Sequence, residues 1–235
     1  MLSLEIQEAF RRRYATENSG WRPATHVYRD LVVDFLGPGV RLLDLGCGRG
    51  GVVEELSDSA DFVCGLDPDR PSLASHRVLN LPRICALSEA LPYHDRSFDL
   101  VCCSWVLEHL KDPGIMLAEV YRVLAPGGRF VFVTPNRRHP LLFVNRLLSR
   151  TGGRLVSRLY GRSEEDTFPA LYKANTPRHI QDLVQSCGLD LDELILVGDP
   201  SYLAFGEGFY RLACALERVT PRSMRVHLVG TAVKP

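Results

Sequence analysis

The chain has 235 residues, 46% apolar and 24% charged, enough to bury a sizeable core in one large domain or two small ones. Lys plus Arg equals Asp plus Glu at 28 each, so no overall field draws in nucleic acid. Seven cysteines without a Cys-x-x-Cys pair read as reduced, buried thiols, and the polar start Met1 to Tyr14 is no signal peptide.

No apolar run approaches about 18 residues, so the reading is a cytoplasmic chain without a membrane-spanning helix. Leu4 to Thr16 reads as a helix, and Asp30 to Phe35 continues a second one that Gly37-Pro38-Gly39 ends. Val40 to Leu45 is a short apolar run with an acid near its end, a buried strand. Gly46 to Gly51 is a glycine-rich turn, and Val52 to Ser57 starts a helix. Phe62 to Asp67 is a second strand, Pro71 to Leu79 a helix, Arg83 to Leu87 a third strand and Phe98 to Ser104 a fourth. Gly114 to Leu124 is helical, Pro126-Gly127-Gly128 turns the chain, and Arg129 to Thr134 is a fifth strand. Thr176 caps a helix that has Pro177 in its first turn and stops at Gly188. Leu194 to Gly198 and Val226 to Ala232 are strands, with a helical stretch from Pro200 to Val219 between them. Strands alternating with helices predict an α/β, Rossmann-like, doubly wound and mostly parallel sheet buried on both faces. The chain reads as one domain, 1–235, with a helical insertion over 136–175.

The strongest local signal is Asp44-Leu45-Gly46-Cys47-Gly48-Arg49-Gly50-Gly51, between a strand and a helix. Glycines let backbone approach a ligand closely, and free N–H groups at a helix start favour anions. Gly46, Gly48 and Gly51 also satisfy the dinucleotide fingerprint, and Asp67 at the second strand's end would accept ribose hydroxyls in either case. Glycines that only permit tight strand-to-helix packing are the plainer reading. Asp44 adds a carboxylate where a cationic amine could lie.

Further motifs follow in order: Glu89-Ala90-Leu91-Pro92, Ser97-Phe98-Asp99-Leu100-Val101, Leu107-Glu108-His109-Leu110 and Leu124-Ala125-Pro126-Gly127-Gly128-Arg129. Together with the glycine turn they resemble the class I S-adenosylmethionine (SAM)-dependent methyltransferases, in the type 11 and ubiquinone/menaquinone branch. The resemblance is specific from about residue 40 to 135 and weaker from 176 to 198. It implies a seven-stranded sheet with an antiparallel last strand and SAM as cofactor. By position it implies Asp44, Gly46, Cys47, Gly48 and Gly50 around the methionine part, and Asp67 with Pro68 at the ribose. Cys103 and Ser104 would pass near the sulfonium. Relatives often carry an acid after the third strand, near adenine; here that place holds Leu87-Ser88-Glu89, so backbone around Leu87 and Ser88 is left to meet adenine.

His109, after the fourth strand, and His139, after the fifth, are the candidate catalytic bases. Each also has a structural reading, as does His179 in a helix's first turn. No His or Cys stands at metal-ligand spacing. Residues 136–162 contain seven Arg (137, 138, 146, 150, 154, 158, 162) and no acid, interleaved with apolar residues and broken by Gly152-Gly153. They read as two short helices forming a lid. The basic face is either solvated, or a match for an anionic acceptor, or a peripheral contact with an anionic membrane. Trp21, Tyr28, Trp105, Phe143, Tyr202 and Tyr210 are among the aromatics that flank the expected pocket. The function expected is methyl transfer to oxygen or carbon of a small, glycan-pathway or lipid-linked acceptor. The alternatives are a non-catalytic SAM-binding module and an NAD-dependent oxidoreductase.

Overall fold

The computed structural model describes residues 4–56, 59–140, 142 and 169–235. Helices α1 (Leu4–Glu17) and α2 (Ala24–Val33) precede β1 (Arg41–Leu45), α3 (Val53–Leu56), β2 (Phe62–Asp67), α4 (Arg70–Ala74) and β3 (Arg83–Cys85). Next come β4 (Phe98–Ser104), α5 (Pro113–Val123), β5 (Leu124–Pro135), α6 (Pro177–Ser186) and β6 (Asp190–Val197). A 3-10 turn (Pro200–Leu203), α7 (Glu207–Val219), a second 3-10 turn (Arg222–Met224) and β7 (His227–Val233) complete the chain.

The strands form one sheet in the order β3-β2-β1-β4-β5-β7-β6. β1 to β5 are mutually parallel, and β7 runs antiparallel to both neighbours, as expected. Side chains alternate across each strand. Leu43, Leu45, Val101, Cys103 and Phe132 pack with α5 and α6, whereas Leu42, Leu100, Cys102 and Val133 pack with Tyr28 and Val32 of α2. That double burial explains the near-continuous apolar strands.

Several boundaries differ from the sequence reading. β5 begins at Leu124, which pairs with Phe98; the pairing breaks at the expected turn Pro126–Gly128 and resumes at Arg129, opposite Leu100. Gly127, at φ +77°, donates its N–H to Lys234 O (2.8 Å), and Lys234 N–H donates to Gly128 O (2.9 Å), which fastens the turn beside β7. β3 stops at Cys85 because its only neighbour, β2, ends opposite it at Asp67. The helix expected over Pro71–Leu79 shrinks to α4, because side chains take over the following backbone groups. Val78 N–H donates to His76 Nδ1 (3.1 Å), and Arg83 Nη1 donates to Val78 O (2.7 Å). β6 starts at Asp190, not Leu194, because β7 pairs with it as far as Val233. The stretch Pro200–Val219 is two helices, separated at Ala204–Gly206. α6 matches its expected caps: Thr176 Oγ1 accepts from His179 N–H (3.2 Å), and Gly188 takes φ +85°.

Candidate active site

All parallel strands end on one edge of the sheet, where β1 hands the chain to the glycine turn. The N–H groups of Gly46 and Cys47 both donate to Leu66 O (2.7 and 3.1 Å), which folds the turn back over β2. Gly46 has φ +80°, and a Cβ there would run into Val106 Cγ2, so no other residue fits. Asp67 closes the other side. Its Oδ2 accepts from Gly48 N–H (2.9 Å) and its Oδ1 from Asp69 N–H (2.8 Å). The carboxylate is fixed in orientation while each oxygen keeps a second lone pair. The helix after the turn, α3, begins at Val53 with Glu54 and Glu55 in its first turn, and the expected end at Ser57 lies outside the described residues.

The alternation of β1 turns Asp44 to the α2 side, opposite Cys102 and beside Tyr28. The Asp44 carboxyl is buried, and burial, then the nearby Asp67 charge, push its pKa up to about 7. The Tyr28 hydroxyl beside it is buried next to Cys102. A buried carboxyl that resists ionising alone is well suited to a cation. The sign follows: binding a cation requires the ionised form, so protons leave as the ligand binds. Affinity for a cation bound at Asp44 is therefore expected to rise with pH up to about 7 and to level off above it. Asp44→Asn should flatten that profile, as read by calorimetry from pH 5 to 8; a parent profile already flat would place the cation elsewhere.

Other expected site residues meet the edge differently. The Cys47 side chain points into the core, where its Sγ lies against Gly65, and Cys103 is wholly buried on the α5 face. Both can offer only backbone to a ligand. Ser104 is half-buried at the end of β4, and Pro68 is exposed beside Asp67. Leu87 is exposed, whereas Ser88 is buried with its hydroxyl donating to Glu89 Oε2 (2.9 Å).

Glu108 belongs to a buried network. Its Oε2 accepts from Thr134 Oγ1 (2.9 Å), which itself accepts from Asn175 Nδ2 (2.5 Å). Glu108 O accepts the N–H groups of Leu171 (2.6 Å) and Tyr172 (3.0 Å). These bonds tie the end of the 136–175 insertion to β4 and β5. His109 is half-buried, its Nδ1 3.3 Å from Pro169 O and its Nε2 4.0 Å from Glu108 Oε1. His139 is apart from it, buried after β5, where burial lowers its pKa to about 4 and keeps it neutral.

His139 lines a cavity of about 140 Å³ with Pro140, Asp199, Leu203, Leu216 and Glu217. Nearby, Trp105 takes φ +59° at the end of β4 and sets its ring edge-on to His227 at 5.1 Å. Tyr202 Oη lies 2.9 Å from His227 Nε2, and Arg11 Nε donates to Asp199 Oδ2 (2.9 Å). Arg11, Asp199, Glu217 and His227 escaped the sequence reading. Asp199 carries the one usable signal, an acid just beyond a strand end, as Asp44 and Asp67 are near theirs. Arg137 and Arg138 are exposed; Arg146, Arg150, Arg154, Arg158 and Arg162, and the two lid helices, lie outside the described residues. No described helix is long and apolar enough to cross a membrane.

Residues 43–132 match the family profile of the methyltransferase domain. A ubiquinone biosynthesis O-methyltransferase of Hahella chejuensis is 29% identical over 80% of each chain. A demethylmenaquinone methyltransferase of Renibacterium salmoninarum is 38% identical over 46% of this chain and 47% of its own. The solved geranyl diphosphate C-methyltransferase of Streptomyces coelicolor superposes with TM-score 0.64 at 16% identity, covering 89% of this chain and 80% of that one, a likeness of fold. On this domain, these relatives and this sheet, the chain is a SAM-dependent methyltransferase, and SAM is its methyl donor.

Proposed function

We propose that the chain methylates an oxygen or carbon of a small, quinone-related or lipid-linked acceptor, working in the cytoplasm as one domain over 1–235 with 136–175 as its lid. The carrying observation is the pair of buried acids, Asp44 and Asp67, at the ends of β1 and β2, around a turn in which Gly46 leaves no room for a side chain. Asp44 receives the methionine amine, with the backbone of Gly46, Cys47, Gly48 and Gly50 around it. Asp67, with Pro68 beside it, takes the ribose hydroxyls. Backbone near Leu87 and Ser88 borders the adenine, and that of Cys103 with Ser104 borders the reacting end. When bound, SAM supplies a methyl group on a sulfonium, open to in-line displacement.

What the protein adds is position and electrostatics, and alignment alone can be worth roughly 7–11 kcal/mol. The names of the relatives support a quinone-related acceptor. An acceptor hydroxyl must also lose a proton. His109 is the first residue for that task and His139 the second, the latter neutral at pH 7 but a weak base.

The test is transfer of labelled methyl from SAM into a cell extract, followed by phase partition. Label is expected in the organic phase. Label confined to the aqueous phase would replace the lipid-linked acceptor with a soluble one, and none in either would sink the transfer reading. In the same assay His109→Ala should lose about 10²-fold in turnover with SAM affinity intact. A near-normal rate would return His109 to a structural role.

A further inference from the structure

Two carboxylates line the cavity of about 140 Å³ beyond β5, and they differ in what they already hold. Asp199 is committed. Its Oδ2 accepts from Arg11 Nε (2.9 Å), and its Oδ1 accepts from the N–H (3.0 Å) and the hydroxyl (2.5 Å) of Ser201. Glu217 is not committed. Its side chain is only 10% exposed, and among the described residues its nearest cation, Arg225 Nε, lies at 4.0 Å, too far for a hydrogen bond. Burial raises the Glu217 pKa above the usual carboxylate range, and Arg225 works against that rise. A buried carboxyl with open acceptor positions is costly until a donor reaches it, so in a folded protein it marks a place where one arrives.

The chain makes room for that carboxyl. Gly198, just beyond β6, lies outside the left-handed region, yet a Cβ there would run into Glu217 Oε1 and Cδ. The glycine thus serves the close approach of Glu217 rather than its own backbone. Its carbonyl is fixed by Trp21 Nε1, which donates to Gly198 O (2.8 Å).

The rest of the cavity says what kind of donor fits. Pro140, Pro200, Leu203, Ala213 and Leu216 make its walls largely apolar, and an apolar cavity of about 150 Å³ holds a benzene ring. Its charges are already even, with Arg11 against Asp199 and Arg225 against Glu217. His139 adds none, since burial lowers its pKa to about 4. A phosphate or carboxylate would meet two acids there, and a cation would unbalance the set. A neutral, ring-sized group that carries a hydroxyl meets every condition.

Position joins this cavity to the transfer site. β5 and β6 both pair antiparallel with β7, so they run the same way and end on the edge that carries the glycine turn. His139 follows β5 and Asp199 follows β6 at that edge. Leu216, 47% exposed, also lines the cavity and leaves it open to solvent.

We propose that Glu217 is a specificity-determining residue, which accepts a hydrogen bond in this cavity from a hydroxyl on a neutral, ring-sized part of the acceptor. The word acceptor rests on the methyl-transfer reading above; the subsite itself is tested without transfer. The full chain is titrated by NMR with phenol, with toluene, which matches phenol in size but has a methyl in place of the hydroxyl, and with benzoate. Phenol is expected to bind about tenfold more tightly than toluene, and benzoate more weakly than phenol. Glu217→Leu should bring phenol down to the level of toluene, with toluene binding and SAM affinity unchanged. Glu217→Gln keeps a neutral carbonyl oxygen and should retain part of the preference. Should Glu217→Leu fail to fold, Gly198→Ala carries the test. Its methyl displaces only the far end of the Glu217 side chain, so the fold should stand while the preference for phenol falls.

Equal binding of phenol and toluene by the parent overturns the proposal. So does a preference for phenol that survives both Glu217→Leu and Gly198→Ala. Benzoate binding as tightly as phenol overturns it too, because the subsite would then take an anion. A Glu217-dependent preference for phenol in a chain that transfers no methyl in the extract assay would sink the transfer reading and leave the subsite standing. Methyl transfer without that preference would do the reverse.

Discussion

Replacing Asp67 by Ala is expected to weaken SAM binding at least tenfold, more than about 1.4 kcal/mol. Two losses combine. With Asp67 proposed at the ribose, its hydroxyls would lose a charged acceptor, a kind of hydrogen bond worth about 1.5–3 kcal/mol. The Gly48 and Asp69 N–H groups also lose the oxygens that orient the turn and the start of α4. Asp67→Asn separates the two: its single oxygen can satisfy one N–H, and its amide meets the other as a second donor. Its affinity should fall between parent and Ala. Calorimetry with SAM reads both, and an unchanged Kd for the Ala variant would remove Asp67 from the ribose site.

Glu108→Ala should cost on the order of 2 kcal/mol of stability, because it leaves the fully buried Thr134 hydroxyl without its acceptor. For a chain of this length that is a fall of roughly 4–8 °C in Tm. Glu108→Gln retains a carbonyl oxygen for Thr134 and should recover most of the loss. SAM affinity should hold in both variants, since the network joins the end of the insertion to β4 and β5 and not to the glycine turn. Thermal unfolding of the three proteins checks this. A Tm unchanged in Glu108→Ala would mean that Glu108 does not anchor the residues after 168.

The parts of this molecule legible in its sequence are those that depend on near neighbours in the chain. β1, β2 and β4 were plain because a strand covered on both faces is apolar along its length. Asp44 and Asp67 stood out because a buried strand rarely ends on an acid without use for it. The Leu107 to Leu110 motif was visible, but not its purpose: Glu108 meets Thr134 across 26 positions of chain, and Thr134 meets Asn175 across 41. The Tyr202–His227 and Arg11–Asp199 contacts span 25 and 188 positions and leave no local pattern.

The distribution of thiols through the sheet gives the protein a chemical reporter of its own. Burial pushes Cys47 up to about 12 and Cys64 up to about 11, and raises Cys102 and Cys103 as well, so all four resist alkylation. Cys187 and Cys214 are partly covered, whereas Cys85 is exposed at the end of β3, its Sγ 3.5 Å from Pro68 O. A maleimide dye therefore meets Cys85 first, next to the edge where β2 and the glycine turn converge, and the native chain can be labelled there without engineering a cysteine.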